Sequence, residues 1–364
     1  MSTFALMAGG TGGHLFPAMA LAQELRRRGH EIHLLTDERV TSYGADFPAT
    51  ATHVVPAATP SIRNPVKFLR AGFTILGGVG SAMRVLKRIE PDAVVGFGGY
   101  PCFPPFLAAS LLRIPGVLHE QNAVMGRANR ALARFASVLA MSFAETNHAD
   151  GFKLKKVLTG NPVRDRVRAV AGTPYPALVE NGSVDLLVFG GSQGAKVFSD
   201  LVPEAIALLD EPLRRRLNVV QQCREEDLER VTDAYRTARV NVELATFFSD
   251  LPERIAKSHL VIGRAGASTV AELGVLGRPA ILVPLPGSLD QDQRANAMVM
   301  ERAGGAWLAD QATLSPQSLA SQLHELLNAP DRLTAAADAA RKVGVADAVE
   351  RLADLVEQTA KGQS

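Results

Sequence analysis

Cysteine is nearly absent from this 364-residue chain: Cys102 and Cys223 are its only two, 121 positions apart. That excludes a disulfide scaffold and a cysteine-based zinc site, and it fits a reducing cytosol. Net charge is scarce as well, +2 from 39 basic and 37 acidic residues. A nucleic-acid binder carries a larger basic excess, so no nucleic-acid partner is expected. Long apolar runs are missing. The longest, Ala71 to Met83, is interrupted by Gly72, Gly77, Gly78 and Gly80 and falls short of the roughly 18 residues a membrane-spanning helix needs. Met1 to Ala8 has no basic n-region, and its apolar run stops at Gly9, so neither a signal peptide nor an anchor is expected there. No stretch reads G-x-x-x-x-G-K-[ST], which removes the P-loop NTPases. What remains is a globular composition, 47% apolar and 21% charged, long enough for two domains of about 150 residues each.

The chain alternates strand, glycine turn and helix. Phe4 to Ala8 is a short apolar run, Gly9-Gly10-Thr11-Gly12-Gly13-His14 a turn, and Pro17 to Arg28 an amphipathic helix stopped by Gly29. Glu31 to Thr36, Ala93 to Phe97 and Gly116 to His119 follow as strands. The pattern then restarts: Val184 to Phe189 runs into Gly190-Gly191-Ser192-Gln193-Gly194-Ala195, and Leu260 to Ile262 and Ala280 to Val283 read as buried strands. Gly9 and Gly190 stand 181 positions apart, half the chain. The α/β alternation predicts parallel sheets covered by helices on both faces. Two Rossmann-like domains fit the restart better than one long sheet. Gly160 to Gly182, with Pro162, Gly172, Pro174 and Pro176, reads as the linker. Ser315-Pro316 opens a helix as cap and first-turn residue, and Val349, Leu352, Leu355 and Val356 form the apolar face of a last one.

Glycine turns at strand ends let backbone N–H groups approach a ligand, and the helix that follows favours negative charge. A nucleotide diphosphate is the natural guest at the carboxyl ends of parallel strands. A dinucleotide is disfavoured. Leu15 stands where G-x-G-x-x-G needs its last glycine, and Gly190-Gly191 lacks the motif, although Asp37 ends the second strand where a ribose-binding acid would stand; a cap or surface role is the other reading of Asp37. His14 closes the first turn at a helix start, which favours a neutral imidazole able to accept a proton; the alternative is a structural histidine. His119-Glu120-Gln121-Asn122 lies past a strand end and either lines a cleft or forms a local capping network. Gly263 to Glu272 follows another strand. There Ser268 and Thr269 cap a helix or bind an anion, and Glu272 either accepts both hydroxyls of a ribose or closes a capping box. Asp290-Gln291-Asp292-Gln293, with Asn296, suits sugar hydroxyls, or is a solvated helix start.

Taken in order, these stretches resemble the bacterial undecaprenyldiphospho-muramoylpentapeptide β-N-acetylglucosaminyltransferases. The resemblance rests on Gly9 to His14, Gly98-Gly99-Tyr100, His119 to Asn122, Gly160-Asn161-Pro162-Val163-Arg164, Gly190 to Ala195, Arg264 to Glu272, Gln293 and Asn296, and covers almost the whole chain. It implies the GT-B glycosyltransferase fold, two Rossmann-like domains with a cleft between them. It also implies an inverting transfer of GlcNAc from UDP-GlcNAc to the 4-hydroxyl of lipid I, giving lipid II for peptidoglycan synthesis. Another GT-B lipid glycosyltransferase and a UDP-GlcNAc 2-epimerase are the alternatives. The expected domains are 1–163 for the acceptor and membrane, 164–340 for UDP-GlcNAc, and 341–364 as a helix returning to the first.

Carried over position by position, Thr11, Gly12, Gly13, Asn122, Arg164, Ser192, Phe248, Ala267, Ser268, Thr269, Val270, Ala271, Glu272, Gln293 and Asn296 contact the donor. Phe248 does so through its backbone to uracil, Glu272 through the ribose, Ser192 through a phosphate, and Gln293 and Asn296 through the sugar. The catalytic base is His14, with Glu120 its rival. Two departures from the family pattern are Gln221-Gln222-Cys223-Arg224, where relatives often show His-Gln-Ser-Gly, and Asp292, which replaces the first glutamine of a tandem pair. Glycine loops, helix N-termini and Arg164 suffice to stabilise the leaving diphosphate, so metal-independent catalysis without a cofactor is expected. A lipid acceptor requires a membrane surface. Arg63 to Glu90 supplies Arg63, Lys67, Arg70, Arg84, Lys87 and Arg88 against one acid, interleaved with Phe68, Leu69, Phe73, Ile75 and Leu76. That pattern suits anionic headgroups, or else an ordinary helix packed on the core. The expected location is peripheral, on the cytoplasmic face of the inner membrane, with other cell-wall synthesis proteins as partners.

Overall fold

The computed structural model describes residues 1–9, 12–39, 46–59, 64–179, 182–191 and 194–362. The chain divides into two compact units, Met1–Asp165 with Asp347–Ser364, and Arg166–Ala346.

The first unit holds strands β1 (Thr3–Met7), β2 (Glu31–Thr36), β3 (Ala51–Val54), β4 (Ala93–Gly96), β5 (Gly116–Glu120), β6 (Val138–Met141) and β7 (Lys155–Leu158), and helices α1 (Gly12–Arg27), α2 (Pro65–Ile89), α3 (Phe103–Leu111), α4 (Arg127–Leu132) and the start of α5 (Asp165–Val170). The second holds the rest of α5, β8 (Val184–Phe189), α6 (Lys196–Ala207), α7 (Glu211–Arg216), β9 (Leu217–Gln222), α8 (Leu228–Ala238), β10 (Asn241–Ala245), α9 (Leu251–Lys257), β11 (Leu260–Gly263), α10 (Ala267–Leu276), β12 (Ala280–Leu282), α11 (Asp292–Arg302), β13 (Ala306–Leu308), α12 (Pro316–Leu327) and α13 (Pro330–Val343). The last helix, α14 (Ala348–Ala360), belongs to the first unit.

Every strand pair is parallel. The sheet orders are β3-β2-β1-β4-β5-β6-β7 and β10-β9-β8-β11-β12-β13. In each sheet the chain winds outward one way from its first strand and then returns to that strand's other side. The reversal leaves a crevice between the carboxyl ends of β1 and β4, and a second between those of β8 and β11. The first and second glycine turns open at these two places.

Central strands such as β1 and β8 are buried on both faces because helices cover both. In the first unit, Leu15, Leu21 and Leu25 of α1 share a core with Leu352, Leu355 and Val356 of α14. Arg28 binds Asp354 at 2.6 Å, and His30 meets Glu357 at 3.0 Å. In the second, Arg278 is fully buried and has carbonyls for partners: Leu276 and Gly277 at the end of α10, Ala256 at the end of α9, and Pro174. A cation at two helix C-termini is favourable, and burial holds its pKa down at about 10. Ser315 accepts from Ser318 N and completes a capping box for α12.

Candidate active site

In the first unit the site is built at the ends of neighbouring strands. Helix α1 begins at Gly12, not at Pro17, so His14 lies inside its first turn. The imidazole rests on Gly98 and Gly99, which follow β4 with φ of +87° and +76°. The positive φ at Gly99 favours glycine, and a side chain there would press on His14, 3.1 Å from its Cδ2. His14 Nδ1 meets Gln121 Oε1 at 3.1 Å, and nothing among the described residues bonds Nε2. Gln121 Nε2 in turn donates to His119 O and His119 Nδ1, each at 2.9 Å, and His119 Nε2 donates to the Gly160 carbonyl at 3.0 Å. His119, the penultimate residue of β5, is fully buried, and that burial pushes its pKa down to about 4. It is therefore neutral near pH 7.

Glu120 faces the other way. It is 1% exposed, and both oxygens are engaged: Oε1 accepts from Asn122 N and Nδ2, and Oε2 from Gly126 N and Asn129 Nδ2, at 2.8 to 3.3 Å. These bonds hold the loop between β5 and α4 and place a carboxylate at the start of α4. A carboxylate so occupied is a poor rival to His14 as base. Asn129, absent from the sequence-derived set, also donates to His119 O, while its buried Oδ1 has no partner among the described residues. Arg164 stacks on Phe16, its guanidinium 3.9 Å from the ring centre. Gly12 and Gly13 form the first turn of α1, with Gly13 exposed. Asp37 is not a surface residue: it is buried, and its Oδ2 accepts from Arg39 at 2.7 Å and from Tyr100 OH at 3.0 Å.

In the second unit, β8 is followed by Gly190, where a side chain would lie 2.3 Å from Ala195 N and therefore cannot exist. Gln222 accepts from Gly190 N at 3.0 Å and donates to Thr246 O at 3.1 Å, stitching together the ends of β8, β9 and β10. The departure at Gln221 is accommodated in the core, where Tyr235 OH donates to it at 2.6 Å. After β11, Arg264 is buried and donates to the carbonyls of Val283 and Pro284. Helix α10 is capped by Gly266, which offers no side-chain bond. Ser268 and Thr269 therefore lie inside the helix, and the capping-box reading of Glu272 fails because Glu272 sits a turn too far along. The amides of the first turn carry about half a positive charge with no side chain to satisfy them. Ser268 Oγ beside them is buried without a partner among the described residues. Ala267, Val270 and Glu272 are buried, while Ala271 is partly exposed.

Phe248 is 7% exposed, its ring under Arg254 at 4.4 Å, so only its backbone can meet a ligand. Its neighbour Phe247 is 62% exposed, and the adjacent aromatic pair was the signal for it. Gln293 Oε1 accepts from Leu285 N at 3.0 Å. Asn296 is fully buried and donates to Ala265 O at 3.1 Å, which holds the turn after β11. Thr11 and Ser192 lie outside the described residues.

The same stretch contains an Asp-x-Asp triplet, Asp290-Gln291-Asp292. Asp290 and Gln291 both have positive φ, and Asp292 Oδ1 accepts from Gln293 N at 2.7 Å at the start of α11. Among the described residues no group of three or more His, Cys, Asp or Glu is placed to hold a metal ion.

Residues 4–141 match the glycosyltransferase family 28 N-terminal domain, and residues 185–352 its C-terminal domain. A UDP-N-acetylglucosamine–N-acetylmuramyl-(pentapeptide) pyrophosphoryl-undecaprenol N-acetylglucosamine transferase of Methylobacterium sp. (strain 4-46) is 56% identical over 98% of this chain and 96% of its own. The crystal structure of Acinetobacter baumannii MurG superposes with a TM-score of 0.80 at 32% identity, over 98% of this chain and all of that one. A UDP-GlcNAc 2-epimerase from Neisseria meningitidis, 14% identical at a TM-score of 0.70 over 98% of this chain and 100% of that one, shares the fold alone.

Proposed function

The chain belongs to the family 28 glycosyltransferases that convert lipid I to lipid II with UDP-GlcNAc as donor, and we propose that it does so by one inverting displacement with His14 as the base. The observation that carries this reading is the setting of His14: Nδ1 is 3.1 Å from the Gln121 amide oxygen, and Nε2 has no partner among the described residues. In the step proposed, Nε2 takes the proton of the muramoyl 4-hydroxyl. The hydroxyl oxygen forms its bond to C1 of GlcNAc as the bond from C1 to the diphosphate breaks, and the electron pair leaves on UDP. Glu120 is a loop-holding residue in this scheme.

The donor falls to the second unit. The first turn of α10 and the Gly190 turn receive the diphosphate, with Ser268 Oγ as an added donor. Glu272 accepts the ribose hydroxyls, the Phe248 backbone meets uracil, Gln293 meets the sugar and Asn296 holds the turn beneath it. Thr11, Ser192 and Arg164 retain their proposed donor contacts. Catalysis is metal-independent: transfer from UDP-GlcNAc to a lipid I analogue by the purified protein keeps its rate in excess EDTA. A rate abolished by EDTA and restored by Mg²⁺ would refute this.

The acceptor and the membrane fall to the first unit. Among the described residues no helix is long and apolar enough to cross a membrane. Helix α2 is buried mainly in its second half, where Val79, Ala82, Val85 and Leu86 join the core. Its first half exposes Val66, Phe68, Leu69, Phe73 and Leu76, with Phe73 at 73%. Arg70, Arg84, Lys87 and Arg88 are exposed on the same helix; Arg63 and the Lys67 side chain lie outside the described residues. We read this as peripheral binding to the cytoplasmic face of the inner membrane. A Phe68/Phe73→Ser double variant is expected to partition onto anionic vesicles at least about tenfold more weakly, since each phenyl contributes about 1.5–3 kcal/mol when fully buried. Equal partitioning would remove the surface from the account.

A further inference from the structure

The side chains behind His14 form a chain whose direction is fixed at both ends. Carbonyl oxygens only accept. The Gly160 carbonyl, 3.0 Å from His119 Nε2, therefore places the proton of His119 on Nε2 and leaves Nδ1 as an acceptor. The His119 carbonyl, 2.9 Å from the terminal nitrogen of Gln121, fixes the orientation of that amide. Its second hydrogen then goes to His119 Nδ1, also at 2.9 Å. Gln121 Oε1 is left facing His14 Nδ1 at 3.1 Å, so His14 must carry its proton there. The flipped amide would set its oxygen against both the His119 carbonyl and the His119 Nδ1 lone pair. His119 is fully buried and Gln121 is 1% exposed, so little water is available to repair such a mismatch.

We propose that Gln121 and His119 are positioning residues that lock His14 in its Nδ1–H tautomer and so keep Nε2 unprotonated toward the acceptor hydroxyl. The proposal rests on His14 being the base. In water the other tautomer of imidazole is the more populated one, so the lock has work to do. It also persists through the reaction. When His14 takes a proton on Nε2, the Nδ1–H···Oε1 bond becomes charge-assisted and stronger. The partner is an amide rather than a carboxylate, so it orients the ring without adding a negative charge beside the leaving diphosphate. The depressed basicity of buried His119 works in the same direction, keeping its Nδ1 an acceptor near neutral pH.

The test combines a spectroscopic and a kinetic readout. Long-range ¹H–¹⁵N spectra of histidine-labelled protein, with His14 assigned by comparison with His14→Gln, are expected to show Nδ1 protonated and Nε2 bare at neutral pH. Gln121→Met, of similar volume and without the amide, is expected to shift His14 toward the other tautomer. It should lower kcat roughly 10²-fold, the lower end of what general-base catalysis supplies, with KM for UDP-GlcNAc within about twofold. His119→Phe should lower kcat as well, and the double variant should be no worse than Gln121→Met alone, because the two act through one chain. A wild-type His14 protonated on Nε2 overturns the proposal, as does a Gln121→Met enzyme within about twofold of wild-type kcat while His14→Ala is slow. A fast His14→Ala enzyme overturns the reading of His14 as base on which the proposal rests.

Discussion

Replacing His14 by alanine is expected to lower kcat by about 10³-fold while KM for UDP-GlcNAc changes by less than about threefold. The direction follows from where the residue sits. His14 lies in the first turn of α1 on the Gly98–Gly99 bed, with its Nδ1 tied to Gln121. Removing it takes away a proton acceptor needed only as the acceptor hydroxyl attacks, so binding of the donor is spared. Glu120→Gln should behave differently. Its amide would place an N–H against donors that now bind a carboxylate, Gly126 N and Asn129 Nδ2 on one oxygen and Asn122 on the other. Its first effect should therefore be a lower melting temperature.

The second large effect is expected at Glu272. Glu272→Ala should raise KM for UDP-GlcNAc by about 10²-fold, because hydrogen bonds to a charged group are worth about 1.5–3 kcal/mol and a ribose offers two hydroxyls. The control is the substrate. For wild type, the 2′-deoxyribose analogue of the donor should lose part of that affinity, whereas for Glu272→Ala the analogue and the natural donor should bind alike. If the variant still discriminates between them, Glu272 does not read the ribose. The helix favours this role geometrically. Gly266 caps α10 without a side chain, so the first-turn amides remain open for the diphosphate, and Glu272 follows in the second turn, buried.

The strands legible in the sequence were those buried on both faces. Phe4 to Met7, Val94 with Val95, Leu186 to Phe189 and Leu260 to Ile262 are continuous apolar runs because helices cover them on both sides. The edge strands β3, β7, β10 and β13 escaped notice, as did the interior strands β6 and β9. β3 and β7 are half-exposed and rich in polar residues, Ala51-Thr52-His53-Val54 for example, with neither an apolar run nor alternation to mark them. The start of α1 was misplaced because Pro17 reads as a first-turn residue, whereas the helix begins at Gly12 among residues of low helical propensity.

For the site, the glycine turns and the His119 to Asn122 stretch were legible as chemistry because glycine pairs and clustered polar residues after a strand have few other uses. Which member does what was not. Glu120 and Gln121 are adjacent, and only strand alternation and the return of the loop decide that Glu120 turns toward α4 and Gln121 toward His14. Asn129, seven positions past Asn122, carries no motif at all and enters through the first turn of α4. Asn296 was legible as a polar residue in the motif, but its burial and its bond to Ala265 O were not.

The most direct measurement is the linkage formed when the purified protein is given UDP-[1-¹³C]GlcNAc and a lipid I analogue, with UDP-glucose as the competing donor. One in-line displacement on the α-linked donor predicts a single product, a β-linked GlcNAc on the muramoyl 4-hydroxyl, formed in the presence of EDTA and not from UDP-glucose. An α-linked product would contradict the single displacement. Conversion of the labelled donor to UDP-ManNAc without use of the acceptor would replace a transferase by an epimerase.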